Sequence, residues 1–222
     1  SCYISNRTSE INYIFPLYLY PSENQLDLFS KTQKEKEVNI ESNLFDKLMI
    51  KYYWDLSPTK ILNYIYAVLF SNIFREKYYE FLKIDFPRIP FTSNKNIFNK
   101  IAGLGQRLVD IHLLKSSELD YPSIKFQGIG DDTVIQKRKY EEDLKRVNIN
   151  KDFYFEGIEP NVWEYQIGGY QVMDKYLKDR KGRRMDDPRH YIHIATAIEK
   201  TIEIQKEIDA IYPEVEKDLI EF

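Results

Sequence analysis

The chain has 222 residues, 43% of them hydrophobic and 30% charged, with 32 Lys and Arg against 35 Asp and Glu for a net charge of −3. That length can bury a core unaided, the composition excludes a disordered or fibrous chain, and no apolar run reaches the ~18 residues that a membrane span needs. A single cysteine, Cys2, allows neither an internal disulfide nor a cysteine zinc cluster, so a reducing cytoplasm is the expected setting.

The opening SCYISNRTSE has no Met, no charged start and no apolar middle, and it reads as the beginning of a piece of a longer protein. Residues 3–20 are rich in β-formers, among them Tyr3, Ile4, Tyr13, Ile14, Phe15, Leu17, Tyr18, Leu19 and Tyr20. Pro16 within that run predicts an edge strand or docking arm. Residues 21–43 lack periodicity and read as a solvated linker. An arm and linker over 1–42 are thus expected ahead of a domain over 43–222.

From Asn43 the spacing turns helical, with Leu44, Phe45, Leu48, Met49 and Tyr52 on one face. Ser57-Pro58 predicts a capped helix to about Phe70 that buries Ile61, Leu62, Ile65, Tyr66, Val68 and Leu69. A second helix is expected over 72–84, stopped by FPRIP at 86–90. Ser93 is the expected cap of a helix to Lys115 with a stripe of Ile97, Ile101, Leu104, Leu108 and Ile111. Gly103 and Gly105 inside it each cost about 1 kcal/mol against Ala, and a close backbone approach is expected to offset them.

The middle third changes period. Segments 124–126, 134–140, 146–149 and 153–155 predict short antiparallel strands. Helices return over 162–166 and 170–180, the second ended by Gly182. The last helix opens at Asp187-Pro188 and runs to about Tyr212, with Ile194, Ala197, Ile198, Thr201, Ile204, Gln205 and Ile208 inside. The expected class is α+β, mostly helical, with a small inserted antiparallel sheet.

No Walker A, dinucleotide glycine fingerprint, HExxH or GxSxG occurs. Gly128-Ile129-Gly130 reads as a tight turn. His190 and His193, three apart on the last helix, have no evident third ligand, so a solvent-facing or capping role is expected. Asp131-Asp132 is followed by Gln136-Lys137-Arg138-Lys139 rather than by the Glu-x-Lys of a nuclease strand. No catalytic residue and no metal ligand is assigned.

Net −3 means that any nucleic-acid site is local, and two basic clusters stand out. The first holds Lys137, Arg138, Lys139, Lys145, Arg146 and Lys151 against Glu141, Glu142 and Asp143, with Tyr140, Asn148 and Asn150 interleaved. On a β-hairpin, alternate side chains would present cations and amides on one face, able to track phosphates and read base edges. A solvated hairpin with cross-strand Lys–Glu pairs fits the same residues. The second cluster is Lys175, Lys178, Arg180, Lys181, Arg183 and Arg184, against Asp174 and Asp179. Macrodipole compensation at a helix end fits these cations, and, since six in ten residues exceed what capping needs, phosphate contact fits them equally. The high aromatic content, 15% with 18 Tyr, suits a helical core with wet edges or a surface that binds something large and polar. Phe81, Phe86, Trp163, Tyr165 and Tyr170 are expected in the core.

IFPLYLYP at 14–21, YIYAVLFSNIFREKYYEFLKIDFPRIP at 64–90, INKDFYFEGIEPNVWEYQIGGYQVMDKYLKDRKGRRM at 149–185 and ATAIEKTIEIQKEID at 195–209 resemble the C-terminal part of Type ISP restriction-modification enzymes. Related bacterial adenine-specific DNA methyltransferases of Type IIG-like architecture carry the same blocks. Arg189-His190-Tyr191 departs locally, where that family has a longer approach to its final helix. The resemblance implies a target-recognition, or specificity, domain that binds double-stranded DNA and packs on an upstream methyltransferase domain. It also implies a parent enzyme that transfers a methyl group from S-adenosylmethionine to adenine N6. The Asn-Pro-Pro-Tyr and glycine-rich motifs of that chemistry do not occur here, so no cofactor and no catalysis are expected of these residues. Joined with the basic clusters, the expectation is that Lys137, Arg138, Lys139, Arg146, Asn148 and Lys151 read or clamp DNA on the sheet. Lys178, Arg180, Lys181, Arg183 and Arg184 would neutralise phosphates. The alternatives are a docking module that uses the tyrosine-rich arm at 13–20, and a free-standing nuclease.

Overall fold

The computed structural model describes residues 15–20, 36–53 and 56–221. The expected extended arm survives in part: β1 (Tyr18–Leu19) pairs antiparallel with β2 (Glu37–Val38). Residues 3–14 of that expectation, and 21–35 of the expected linker, lie outside the described residues. Near its end the linker is ordered. Asn39 donates from its backbone N–H to Leu17 O (2.9 Å) and from its amide to Pro16 O (2.8 Å).

The helices begin where short polar side chains satisfy their first amides. In α1 (Ser42–Tyr52) the Glu41 carboxylate accepts from the Asn43 and Leu44 amides. In α2 (Pro58–Phe70) Ser57 Oγ accepts from Lys60 N–H and Pro58 fills the first position, as the sequence predicts. The helix expected over 72–84 is broken at Tyr78 into α3 (Asn72–Lys77) and α4 (Tyr79–Leu82). At the break the Tyr78 hydroxyl reaches Glu216 (3.0 Å). Helix α5 (Lys95–His112) is capped by Asn94 rather than Ser93, because the C-terminal segment occupies Ser93 through its amide and hydroxyl, both bonded to Asp218.

The middle third forms a four-stranded antiparallel sheet in the order β3-β6-β5-β4, from β3 (Lys125–Gly128), β4 (Lys139–Glu141), β5 (Arg146–Asn148) and β6 (Phe153–Glu156). Helix α6 (Pro160–Trp163) is shorter than expected. Gln166–Ile167 (β7) instead pairs with Tyr170–Gln171 (β8) around Gly168 and Gly169, both at positive φ. That Gly-Gly turn is a hairpin signal that the helical reading passed over. Helix α7 (Val172–Lys178) stops at an Asp179 C-cap, three residues before Gly182. Gly182, at φ +81°, does not end it; the turn there lets the glycine amide donate to Ile135 O. Helix α8 (Pro188–Val215) starts as predicted, with the Asp187 carboxylate accepting from His190 N–H.

Two cores meet on α8. Its N-terminal half contributes Tyr191, Ala195 and Ile198 to the sheet, α6 and α7, and its C-terminal half contributes Ile204, Ile208, Tyr212 and Val215 to the bundle of α1, α2, α3 and α5. Part of the tyrosine content is explained in the bundle. Tyr52 stacks on Phe98 at 4.0 Å, and Tyr64 stacks between Phe98 and Phe91. Their buried hydroxyls donate to Thr92 O (2.6 Å) and Pro90 O (2.7 Å). Burial pushes both phenols well above the usual tyrosine range, so they remain neutral donors. Gly105 lies against α2: a Cβ there would sit 1.9 Å from Asn63 O, whereas one at Gly103 would meet nothing within 4 Å. The expected close approach therefore holds for Gly105 and not for Gly103.

His112 joins three helices. Thr201 donates its hydroxyl to Ala197 O (2.7 Å), so it accepts from His112 Nε2–H (2.9 Å), and Nδ1 accepts from the Tyr66 hydroxyl (2.7 Å). This arrangement requires the neutral imidazole, and burial lowers its pKa. A histidine with a depressed folded pKa binds fewer protons folded than unfolded below about pH 6.5. Its contribution to stability is present above that pH and is lost as pH falls further. Urea unfolding midpoints should drop from pH 8 to pH 5, and His112→Gln should flatten part of the drop.

Candidate nucleic-acid interface

The antiparallel register sorts the sheet into two faces. Phe126, Tyr140, Val147, Phe153 and Phe155 point into the core against α8, α6 and α7, with Phe155 against Tyr191 and Tyr140 stacked on Trp163. The opposite face is polar. Lys139 pairs with Asn148 and Glu141 with Arg146, then Asn148 with Tyr154, Arg146 with Glu156 and Lys125 with Glu156. The sequence pattern thus places Lys139, Arg146 and Asn148 on one face, as the hairpin argument requires.

That face is partly neutralised by its own carboxylates. Lys139 (3.0 Å) and Arg146 (2.8 Å) both bind Glu141, and Arg146 also lies over the Tyr154 ring at 4.8 Å. These partners, Lys139 foremost, hold the Glu141 carboxyl down to about 2. Asn148 is only 7% exposed, with its Nδ2 donating toward Lys139 O. Asn150 is buried as well, donating to Asp132 O and Val134 O and accepting from the Asp152 and Phe153 amides. Arg138 is drawn to α7 by Asp174 (2.7 Å).

The two basic clusters, some 40 residues apart in sequence, converge. Ile135 N–H donates to Arg183 O, Gly182 N–H to Ile135 O and Met185 N–H to Thr133 O, while Val134 and Arg184 form an antiparallel bridge. On the other side of the same segment, the Gln136 and Lys137 amides donate to Ile149 O. Residues 182–185 therefore continue the sheet surface beside 133–137. Arg184 donates to Asp131 O, and Arg180 lies over the Tyr176 ring at 3.7 Å with a bond to Tyr176 O.

Among the described residues, Lys137, Lys178, Lys181, Arg183 and Arg184 have no carboxylate within 4 Å, and Lys151 has only Asp152 at 3.8 Å. All six are exposed. The expected cations thus divide into an exposed rim of five with no carboxylate partner and a paired set (Arg138, Lys139, Arg146 and, more loosely, Lys151), with Arg180 stacked on an aromatic ring. A row of unpaired cations beside a polar sheet face is the arrangement that neutralises phosphates while leaving hydrogen-bonding groups for base edges.

Several expectations need correction. Phe81 (68% exposed), Phe86 (60%) and Tyr170 are on the surface and not in the core, while Trp163 and Tyr165, also expected in the core, are half-buried and pack against its edge. Phe81 sits on α4, a four-residue helix that buries none of its side chains, and Phe86 opens the extended 86–90 segment, where it meets Phe15 edge-on. His190 is exposed, and among the described residues no three His, Cys, Asp or Glu gather to hold a metal. No helix is long and apolar enough to cross a membrane.

A family model described as the Type ISP C-terminal specificity domain matches residues 1–207. Among solved structures, the chain is similar to the ATP-dependent Type ISP restriction-modification enzyme LlaBIII bound to DNA, with 22% identity and a TM-score of 0.64. It is similar to a nuclease-deletion mutant of the Type ISP enzyme LlaGI in complex with a DNA substrate mimic, with 21% identity and a TM-score of 0.58. A DrdV–DNA complex matches with 21% identity and a TM-score of 0.63. These matches cover 87%, 87% and 92% of this chain, but only 13%, 17% and 22% of the respective chains. At that identity the likeness shows a shared fold. No curated protein matches the sequence.

Proposed function

Because the chain belongs to the Type ISP C-terminal specificity domain family, we propose that it reads double-stranded DNA for a restriction-modification enzyme whose catalytic parts lie outside these residues. The observation that carries this reading is the convergence of the two basic clusters into one rim of free cations beside the polar sheet face. Lys137, Lys151, Lys178, Lys181, Arg183 and Arg184 would hold phosphates. Lys125, Gln127, Tyr154 and the Lys139–Glu141–Arg146 group would face base edges, where an arginine or lysine released from its carboxylate can pair with guanine. Asn148, buried in the sheet, would contribute by holding β4 against β5.

In this reading the parent enzyme methylates adenine N6 with S-adenosylmethionine and works in the bacterial cytoplasm. The residues present do not fit that cofactor. The turn after β3, Gly128-Ile129-Gly130, is closed at Gly128 by the Phe153 ring and Asp152 O, which lie 2.3 and 2.6 Å from where a Cβ would be.

A docking role accompanies DNA reading. Phe15, Leu17, Ile40, Leu44, Leu62 and Ile89 line an apolar groove, and Phe15 meets Phe86 edge-on at 5.5 Å. Such a groove suits an apolar surface of the methyltransferase domain.

The test is sequencing of methylated adenines in DNA from cells that express the full-length protein. The wild type is compared with a variant whose residues 134–151 come from a relative with another target. A switched methylation motif is the expected result. Methylation at the original motif would place specificity elsewhere and leave this domain as a docking module.

A further inference from the structure

We propose that Arg146 reads a guanine of the bound duplex and that Glu141 is the positioning residue that aims it; the inference rests on the DNA-reading role above and names the base read. Arg146 lies on β5, an inner strand, with Glu141 of β4 and Glu156 of β6 as its register partners on the polar face. Two contacts fix its guanidinium. Nε donates to Glu141 Oε2 (2.8 Å), and the guanidinium carbon lies 4.8 Å from the centre of the Tyr154 ring. Glu141 is itself anchored through its other oxygen, which accepts from Lys139 Nζ (3.0 Å), while Glu156 accepts from the Gln127 amide (3.2 Å). The Arg146 side chain is 31% exposed, and among the described residues no hydrogen bond engages its Nη1 or Nη2. The fork made by these two terminal nitrogens is therefore held in place and left open.

The carboxylate that aims the fork also selects what it binds. A phosphate or a protein carboxylate at Nη1 and Nη2 would bring a second anion beside Glu141, and the two would repel. A pair of neutral acceptors meets no such repulsion. In the major groove guanine alone presents two adjacent acceptors, N7 and O6, which match a fork of two N–H donors. Adenine presents one acceptor and one donor there, so it would leave half of the fork unpaired. Arg146 needs no release from Glu141 for this contact, because the carboxylate occupies only Nε. Fixing the side chain beforehand also removes an ordering cost that a free arginine incurs on binding. Other arginines of the basic clusters are placed differently: Arg138 is bonded to Asp174, Arg180 lies over Tyr176, and Arg184 is bonded to Asp131 O.

The experiment uses the full-length protein. A cognate duplex is selected by wild-type binding from a random pool, and affinities are measured for it and for duplexes changed at each base pair in turn, across a salt series. Arg146→Gln is expected to lose roughly ten- to a hundredfold of discrimination at one G·C pair and none at the others, with the salt slope unchanged. A deaza-guanine lacking N7 at that pair should weaken the wild type by about tenfold and leave Arg146→Gln unaffected. Glu141→Ala should lower discrimination at the same pair while strengthening binding to unrelated sequences, since Arg146 and Lys139 are then free for phosphates. Ion pairs this exposed add little stability, so both variants should unfold thermally near the wild type. Unchanged discrimination in Arg146→Gln, or a uniform loss with a salt slope lower by about 0.9, would overturn the guanine reader while DNA reading stands. Unchanged discrimination in Glu141→Ala would remove its positioning role. If the wild type enriches no sequence from the pool, the DNA-reading role fails and the guanine reader with it.

Discussion

A variant carrying Lys178→Ala, Lys181→Ala and Arg183→Ala is expected to bind duplex DNA roughly a hundredfold more weakly at 0.1 M salt. The plot of log K against log salt should flatten by about 2.7, since each phosphate contact contributes about 0.9. These three side chains lack described carboxylate partners, so each releases counterions when it meets a phosphate. The loss should be the same for every DNA sequence tested, because phosphates carry no sequence information. The comparison that isolates the effect is Arg138→Ala. Its guanidinium is already held by Asp174 at 2.7 Å, so removing it should change the slope less and lower stability by about 1 kcal/mol. Equal slopes for the triple variant and the wild type would remove the rim from the DNA interface. Arg184 is left intact in this variant because it also braces the Asp131 loop, so its replacement would combine two effects.

Two glycines three-quarters of a helical turn or less apart should answer substitution with opposite signs. Gly103→Ala is expected to raise stability by about 0.5–1 kcal/mol, because the position is mid-helix and nothing lies within 4 Å of the added carbon. Gly105→Ala should cost about 3 kcal/mol or more, because the same carbon would lie 1.9 Å from the Asn63 carbonyl oxygen. Neither backbone nor rotamer can absorb that overlap locally, so α2 and α5 must separate and the Tyr64–Phe98 stack must loosen with them. Thermal unfolding of the two variants checks the prediction. A Gly105→Ala protein as stable as the wild type would mean that the α2–α5 approach is looser than described.

Much of this architecture is legible locally. Ser57-Pro58 and Asp187-Pro188 mark helix starts because a side chain three residues from an amide can cap it wherever the helix later packs. The alternation of Phe153, Tyr154, Phe155 and Glu156 marks a half-buried strand for a similarly local reason. The failures are instructive in the same terms. Ser93 lost its cap to Asn94 because a segment 125 residues away claimed it, and Phe81 and Phe86 are exposed because the helix and segment that carry them turn other residues toward the core. Family membership was also legible, since ordered blocks over most of the chain carried the resemblance.

The interface divides along that line. By itself the sequence determined that cations, amides and aromatics cluster in two stretches, and that a two-residue period would set Lys139, Arg146 and Asn148 on one face. Only the tertiary structure decided that residues 182–185 lie beside 133–135, that Arg138 belongs to Asp174, and that Ile129 stands clear of the surface. The physical reason is range. Capping and periodicity act over three or four residues, but the freedom of a charge depends on which carboxylate the folded chain brings within 4 Å of it. Arg138 finds its partner 36 residues away and Arg184 finds its carbonyl 53 residues away.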